Sequence, residues 1–389
     1  NPRLAAAREH AAALETVPSQ AGALPDPMVG VNLMSLPTDT FDFDQEPMTQ
    51  LQLSFSQAIP YPGKRALMEA AALHEASAGV ARADEVRLTL VADVRTVWWQ
   101  VFRLDRALEI VAQNRALMRD FVEIAQTKYR VGDGLQQDVL LAQLEQSRLL
   151  DRELRLDGMR ATTAARLNAL LDRDSFASVV LPERPPTEAL PDLPSVGDLL
   201  EEAIQQRPAM AAQSALVDAA RARVDLSHRD KRPNFVVGAG YGYRQGYDVM
   251  RGVNRPDFLS VMLGVSVPLY AASKQDRAID QRSRELSQRQ FTLADTARDI
   301  QASISALRAD YEAAREQVAL FETAIIPQAQ QTVASMLAGY QVNEVDFLNV
   351  INSQITLYNS QISYWDALSG AKAALARLAA AAGRETLYE

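Results

Sequence analysis

Four short stretches of the chain alternate apolar and polar residues with a period of two. In TQLQLSFSQ, from Thr49, residues Leu51, Leu53 and Phe55 fall on one face and Gln50, Gln52, Ser54 and Ser56 on the other. FLSVMLGVSVP, from Phe258, sets Leu259, Val261, Leu263, Val265 and Val267 opposite Ser260, Met262, Gly264 and Ser266. NFVVGAGYGYR, from Asn234, places Phe235, Val237, Ala239, Tyr241 and Tyr243 against a row of small residues, and MVGVNLMSLP, from Met28, is the weakest of the four. This alternation predicts half-buried strands, arranged as two hairpins over 28–59 and 234–268. Its length also suits membrane-spanning barrel strands, apolar toward lipid and polar or small toward a lumen. A soluble sandwich or two-hairpin sheet fits the strands alone equally well.

A second pattern has a spacing of three and four. Val97, Val101, Leu104, Leu108 and Val111 follow it, and Leu293, Ala297, Ile300, Ile304, Leu307, Tyr311, Ala314, Val318 and Phe321 extend it over a longer reach. Such a stripe predicts helices packed side by side, as in coiled coils. Between Lys64 and Val131 there is no proline and one glycine, Gly79. One helix over that stretch would be on the order of 100 Å long. Pro327 is expected to bend or interrupt the matching helix further on.

The pattern is written twice. Pro2 and Pro208, Pro27 and Pro233, and Asp93 and Asp299 recur at an offset of 206; Pro60 and Pro268, and Asp138 and Asp346, recur at 208. So regular an offset predicts a duplication, with repeats over 1–175 and 196–383, a Pro-rich crossover over 176–195 and a tail over 384–389. PSVGDLLEEAIQQ, before Arg207, has no counterpart before Asn1, so the first repeat is expected to lack its opening residues. Four strands cannot close a barrel alone, and open edges are forbidden in hydrocarbon. Long apolar-striped helices likewise need neighbours. Several copies of the chain, sharing strands and helices, satisfy both demands.

Composition narrows the function classes. The net charge of −9 argues against a nucleic-acid partner. There is no cysteine and no run of eighteen apolar residues, which excludes thiolate sites and a membrane-spanning helix. His10, His74 and His228 are scattered, so no bound metal or other cofactor is expected. Met28, Met34 and Met48 are read as strand or loop filling, and Trp98 and Trp99 as packing between helices. Tyr241, Tyr243 and Tyr247 suit an interfacial aromatic girdle, and a place in a loop suits Tyr247 equally well. No catalytic triad or phosphate loop stands out, and no enzyme is expected.

The sharpest motifs are two echoing turns, YRVGDGLQQDVLLAQLEQS from Tyr129 and YQVNEVDFLNVINSQITL from Tyr340, together with SQAIPYPGKR after the second strand. Over essentially the whole chain this plan resembles the outer-membrane factors of Gram-negative tripartite efflux pumps, the TolC-like family. The PYPGKR and QQDVL wording looks most like the cobalt–zinc–cadmium-type heavy-metal subgroup. The resemblance implies a mainly α fold with a β-barrel part. It implies a homotrimer with twelve strands in the outer membrane, contacting lipid through Leu51, Leu53, Phe55, Leu259, Val261, Leu263 and Val265, above a periplasmic tunnel of twelve helices. It also implies a membrane-fusion adaptor as partner and, indirectly, an inner-membrane pump of the resistance–nodulation–division (RND) type.

By the same resemblance the echoes are tips that meet the adaptor, through Tyr129, Arg130, Val131, Gly132, Asp133, Gly134 and Leu135 and through Tyr340, Gln341, Val342, Asn343, Glu344 and Val345. Gly132 and Gly134 supply a permissive backbone, and Asn343 stands where a glycine is often found. Asp346 matches an acidic position lining the closed aperture, Asn349 replaces the next acid, and Asp138 is the third candidate. Both aspartates also suit helix starts, where the dipole favours a carboxylate. A coiled-coil scaffold or adhesin with a small β head is the alternative from another class, and a type I protein-secretion channel is a third.

Overall fold

The computed structural model describes residues 1–183 and 189–387. The centre of the expected crossover, 184–188, and the last two residues of the expected tail, 388–389, lie outside the described residues.

The elements run α1 (Pro2–Glu15), α2 (Val17–Gly22), β1 (Met28–Met34), β2 (Gln50–Ile59), α3 (Lys64–Arg130) and α4 (Gln136–Leu170), then α5 (Val196–Gln206) and α6 (Pro208–Arg229). There follow β3 (Asn234–Tyr243), β4 (Tyr247–Asp248), β5 (Val253–Asn254), β6 (Phe258–Ser266), α7 (Gln275–Leu320), a π-helical turn (Phe321–Ile325), α8 (Ile326–Gln341) and α9 (Phe347–Ala381). The element order runs in parallel through the two halves of the chain: α1 stands where α6 does, β1–β2 where β3–β6 do, α3 where α7–α8 do, and α4 where α9 does. The proline-free run forms one helix of 67 residues. Pro327 lacks the N–H of its turn, and in the second half the ladder slips into the π-helical turn just before it. The two-residue pair β4–β5, in the loop of the second hairpin, has no alternation long enough to be seen in the sequence.

The chain divides into two compact units, and neither is a repeat. One holds 1–7, 83–210 and 296–389; the other holds 8–82 and 211–295. Each unit draws on both halves of the chain: in one, helices of the two halves pack together, and in the other, β2 of the first half pairs with β3 of the second.

In the second unit the four main strands form an antiparallel sheet in the order β1-β2-β3-β6. Register aligns Val31, Leu53, Tyr241 and Leu259 in one cross-strand row and Val29, Phe55, Ala239 and Val261 in another. Rows such as Gly30, Ser54, Gly240 and Ser260 occupy the opposite face. All four alternating patterns therefore add up to one apolar face. It is uncovered: Leu53 is 56% exposed, Val261 75% and Leu263 79%. Within the same unit α1 lies against α3 at Gly79, where a Cβ would sit 2.6 Å from Leu14 Cδ1.

The first unit is helical. The stripe of α3 is buried at Val97, Val101, Leu104 and Val111, and that of α7 at Ile300, Ile304, Tyr311 and Val318. Trp98 stacks on Phe102, and Trp99 and Trp365 meet the same ring edge-on. Trp98 and Trp99 pack between helices, as expected from their place in the long helix. The largest core cluster joins α3, α4, α8 and α9, from Leu104 to Ala125, from Ala142 to Leu156 and from Tyr340 to Ile362. No helix among the described residues is long and apolar enough to cross a membrane.

Candidate functional site: the paired helix tips

The two echoing sequences fold into two helix–turn–helix tips, α3–α4 and α8–α9. Both α3 and α8 end in the same hydrogen-bonded motif. The Gly132 N–H donates to Tyr129 O and the Asp133 N–H to Lys128 O; the Asn343 N–H donates to Tyr340 O and the Glu344 N–H to Gly339 O. This pairing requires a left-handed residue after the helix. Gly132 supplies it at φ +86° and Asn343 at φ +62°.

These bonds fix the correspondence between the turns at an offset of 211, not 208. Leu135 and Asp346 are equivalent N-cap residues of α4 and α9, and Asp138 is equivalent to Asn349. The pairing of Asp138 with Asp346 was a match of residue letters and fails, because the hydrogen-bonded turn sets the register three residues later.

The equivalence explains a difference between the echoes. A Cβ on Gly134 would approach Lys128 Cβ to 2.9 Å, and a Cβ on Gly339 would approach Val345 Cγ2 to 2.5 Å. Each turn has room for one side chain at this contact. The first gives it to Lys128 and keeps Gly134 bare; the second gives it to Val345 and keeps Gly339 bare.

Lys128 then ties the two tips together. Its Nζ donates to Tyr340 O at 2.8 Å and to Asn343 Oδ1 at 2.6 Å, and lies 4.2 Å from the centre of the Tyr340 ring. It thereby caps α8, whose last carbonyls have no partner within the helix. The Tyr340 ring packs on Phe347, which meets Phe121 of α3 edge-on.

Tyr340 is therefore only 6% exposed, which corrects its expected place on the tip surface: aromatic packing and the Lys128 contact draw it inside. Burial also raises its phenol above the usual range, with the Asp138 charge adding to the effect. Tyr129, Val131, Leu135 and Val342 are exposed at 48%, 68%, 58% and 65%. Arg130, Gly132, Asp133, Gln341, Asn343 and Glu344 are exposed as well, and Gly134 and Val345 are half-buried.

The three gate candidates differ in setting. Asp346 and Asn349 are exposed. Asp346 holds the N-cap of α9 with φ −69° and ψ 144°, and its side chain makes no capping hydrogen bond. Asp138 is half-buried in the first turn of α4 and accepts the Leu135 N–H. Burial pushes its carboxyl above the ordinary aspartate range; the nearby Asp346 charge pushes the same way, and the Leu135 N–H and Lys128 oppose it.

Away from the tips the core carries a polar layer that the sequence did not disclose. Gln354 Nε2 donates to Asn114 Oδ1 at 2.6 Å, and Tyr358 Oη donates to buried Glu145 at 3.1 Å. Arg115 pairs with Glu153, and Arg152 donates to Asn359. Polar residues at seam positions fix the register of packed helices. Their only sequence signal was a break in the apolar stripe at Asn114. Lys128 was missed too, although Gly339 in its place in the second echo marked it as a point of difference. No group of acidic and histidine residues able to hold a metal ion occurs among the described residues.

The family described as outer membrane efflux protein matches residues 1–173 and 199–384. The outer membrane efflux protein BepC of Brucella suis is 26% identical over 295 residues, 74% of this chain and 62% of that protein. Protein CyaE of Bordetella pertussis is 29% identical over 231 residues, 58% of this chain and 48% of that one. The match thus spans roughly half to three-fifths of these relatives' own length. Among solved structures, the outer membrane protein VceC of Vibrio cholerae aligns over 99% of this chain and 93% of its own, at 19% identity and a TM-score of 0.82. CusC aligns over 99% and 89%, at 14% identity and a TM-score of 0.83.

Proposed function

Because the chain belongs to the outer membrane efflux protein family, whose members are outer-membrane channels rather than enzymes, we propose that it is the channel component of a tripartite efflux system. Three copies form the unit. Their sheets, four strands each, close one barrel in the outer membrane, and their helices form a tunnel in the periplasm. The repeats over 1–175 and 196–383, joined by the crossover over 176–195, are the two structural halves of each protomer. Passage is passive, with the driving energy supplied by an inner-membrane pump through an adaptor.

One observation carries this reading: a sheet whose apolar residues all share one uncovered face and whose outer strands, β1 and β6, each keep an open edge. Such a surface is unstable in water, and such edges are unstable in lipid, until further strands close it. A soluble scaffold with a small β head would cover that face itself. The experiment is a mass measurement of the purified chain with and without detergent. The channel reading expects a detergent-dependent trimer; a monodisperse monomer in detergent-free buffer would support the scaffold.

The tips are the surface offered to the adaptor, with Tyr129, Val131, Leu135 and Val342 as its exposed apolar contacts. Asp346, beside Asn349 and with Asp138 behind it, faces the aperture between the tips. For cargo, the wording of PYPGKR and QQDVL favours heavy-metal cations, with small molecules or secreted proteins as the other classes. Resistance of a host strain to zinc, cobalt and cadmium salts, with and without the gene, separates them.

A further inference from the structure

The sheet-bearing unit contains a cavity of about 400 Å³ where β3 begins, β6 ends and α7 starts. Its cations are unequally engaged. Lys64 is buried; its Nζ pairs with Asp230 at 3.2 Å and donates to Arg232 O and to Asn234 Oδ1. Nearby, Lys231 pairs with Asp276. Arg232 and Lys274 line the cavity without an ion pair among the described residues and are exposed. Gln275, also in the wall, has a buried Oε1 with no hydrogen-bond donor among the described residues.

The surroundings suggest what this cavity takes. The apolar row of β6 runs from Leu259 to Val265; beyond the strand come Val267 and, in the turn that follows, Leu269, which is 80% exposed, beside Tyr270 at 78%. An acyl-facing row therefore leads directly to two unpaired cations with an aromatic ring at the boundary. That is the order of chemistries met on leaving a bilayer: hydrocarbon, interfacial aromatic, phosphate.

We propose that the cavity is a headgroup site for a phospholipid. Arg232 and Lys274 hold the phosphate, Gln275 Oε1 accepts a hydrogen bond from a donor-bearing headgroup such as ethanolamine, and the acyl chains lie along Val267 and Leu269. The site rests on the barrel reading above but adds a ligand to it.

The test uses the full chain in detergent and measures binding of dihexanoyl phosphatidylethanolamine, dihexanoyl phosphatidylcholine and inorganic phosphate. The short-chain ethanolamine lipid is expected to bind, with inorganic phosphate at least tenfold weaker. R232Q/K274Q is expected to weaken lipid binding about thirtyfold, the effect of two interfacial cations, and R232K/K274R to retain it. Equal binding by parent and R232Q/K274Q overturns the proposal. Equal binding of free phosphate also overturns it, because the site would then select an anion and not a lipid. Equal affinity for the choline headgroup removes Gln275 from the site. Oligomer mass is read on the same samples: a trimer that binds no lipid defeats this proposal alone, and the absence of any detergent-dependent trimer defeats the channel reading beneath it.

Discussion

Lys128 joins the two tips. Its ammonium satisfies the Tyr340 carbonyl and Asn343 Oδ1 and covers the Tyr340 ring. Lys128→Met keeps the apolar stem and removes both hydrogen bonds, a local cost of about 1–3 kcal/mol. Hydrogen exchange should quicken over residues 340–346 while the thermal midpoint of the whole protein changes little; unchanged exchange there would contradict the clamp. Gly132 has open space around it but φ +86°, so Gly132→Ala costs about 1–2 kcal/mol through backbone strain alone. Asp138 gives the tips a pH response. Because its folded pKa is raised, its contribution to stability is present at low pH and is lost as pH rises from the ordinary aspartate range through the folded value. Asp138→Asn keeps an acceptor for the Leu135 N–H, removes the charge facing Asp346, and should flatten that response in a stability-versus-pH series. For the aperture, Asp346→Ala is expected to raise leak conductance, and an unaltered closed state would remove Asp346 from any gate.

At the scale of elements, the sheet offers the cleaner test. Val261 and Ser260 are neighbours in β6 on opposite faces. An arginine on the lipid side near the bilayer midplane costs about 2–4 kcal/mol, and a lumen-facing one far less. Val261→Arg should therefore depress assembly in detergent, and Ser260→Arg should leave it intact; equal yields would mean that the apolar face does not meet lipid. The four strands were legible in the sequence because period two survives in a sheet with one uncovered face. The 67-residue helix was legible because nothing in Lys64–Arg130 interrupts it. The tip register was legible too, Tyr129 and Tyr340 opening the echoes 211 apart, but matching Asp138 with Asp346 at 208 obscured it until the hydrogen bonds around Gly132 and Asn343 were seen. The polar layer of Asn114, Gln354 and Glu145 was hidden: each looks like a surface residue until the facing helix is known. Tyr340 was misplaced because an aromatic residue in a turn gives no sign of which way it packs.

At the scale of the whole molecule, the sheet is incomplete by itself. Four strands with two free edges, and an apolar face left open to solvent, describe part of a larger wall. Three such sheets make twelve strands, a count within the range of closed outer-membrane barrels. The most direct test is single-channel recording of the purified full-length protein in planar bilayers. The account predicts discrete conductance steps from detergent-solubilised trimers, with larger leak in Asp346→Ala. Protein that inserts without conducting, or that never leaves the aqueous phase, would contradict it.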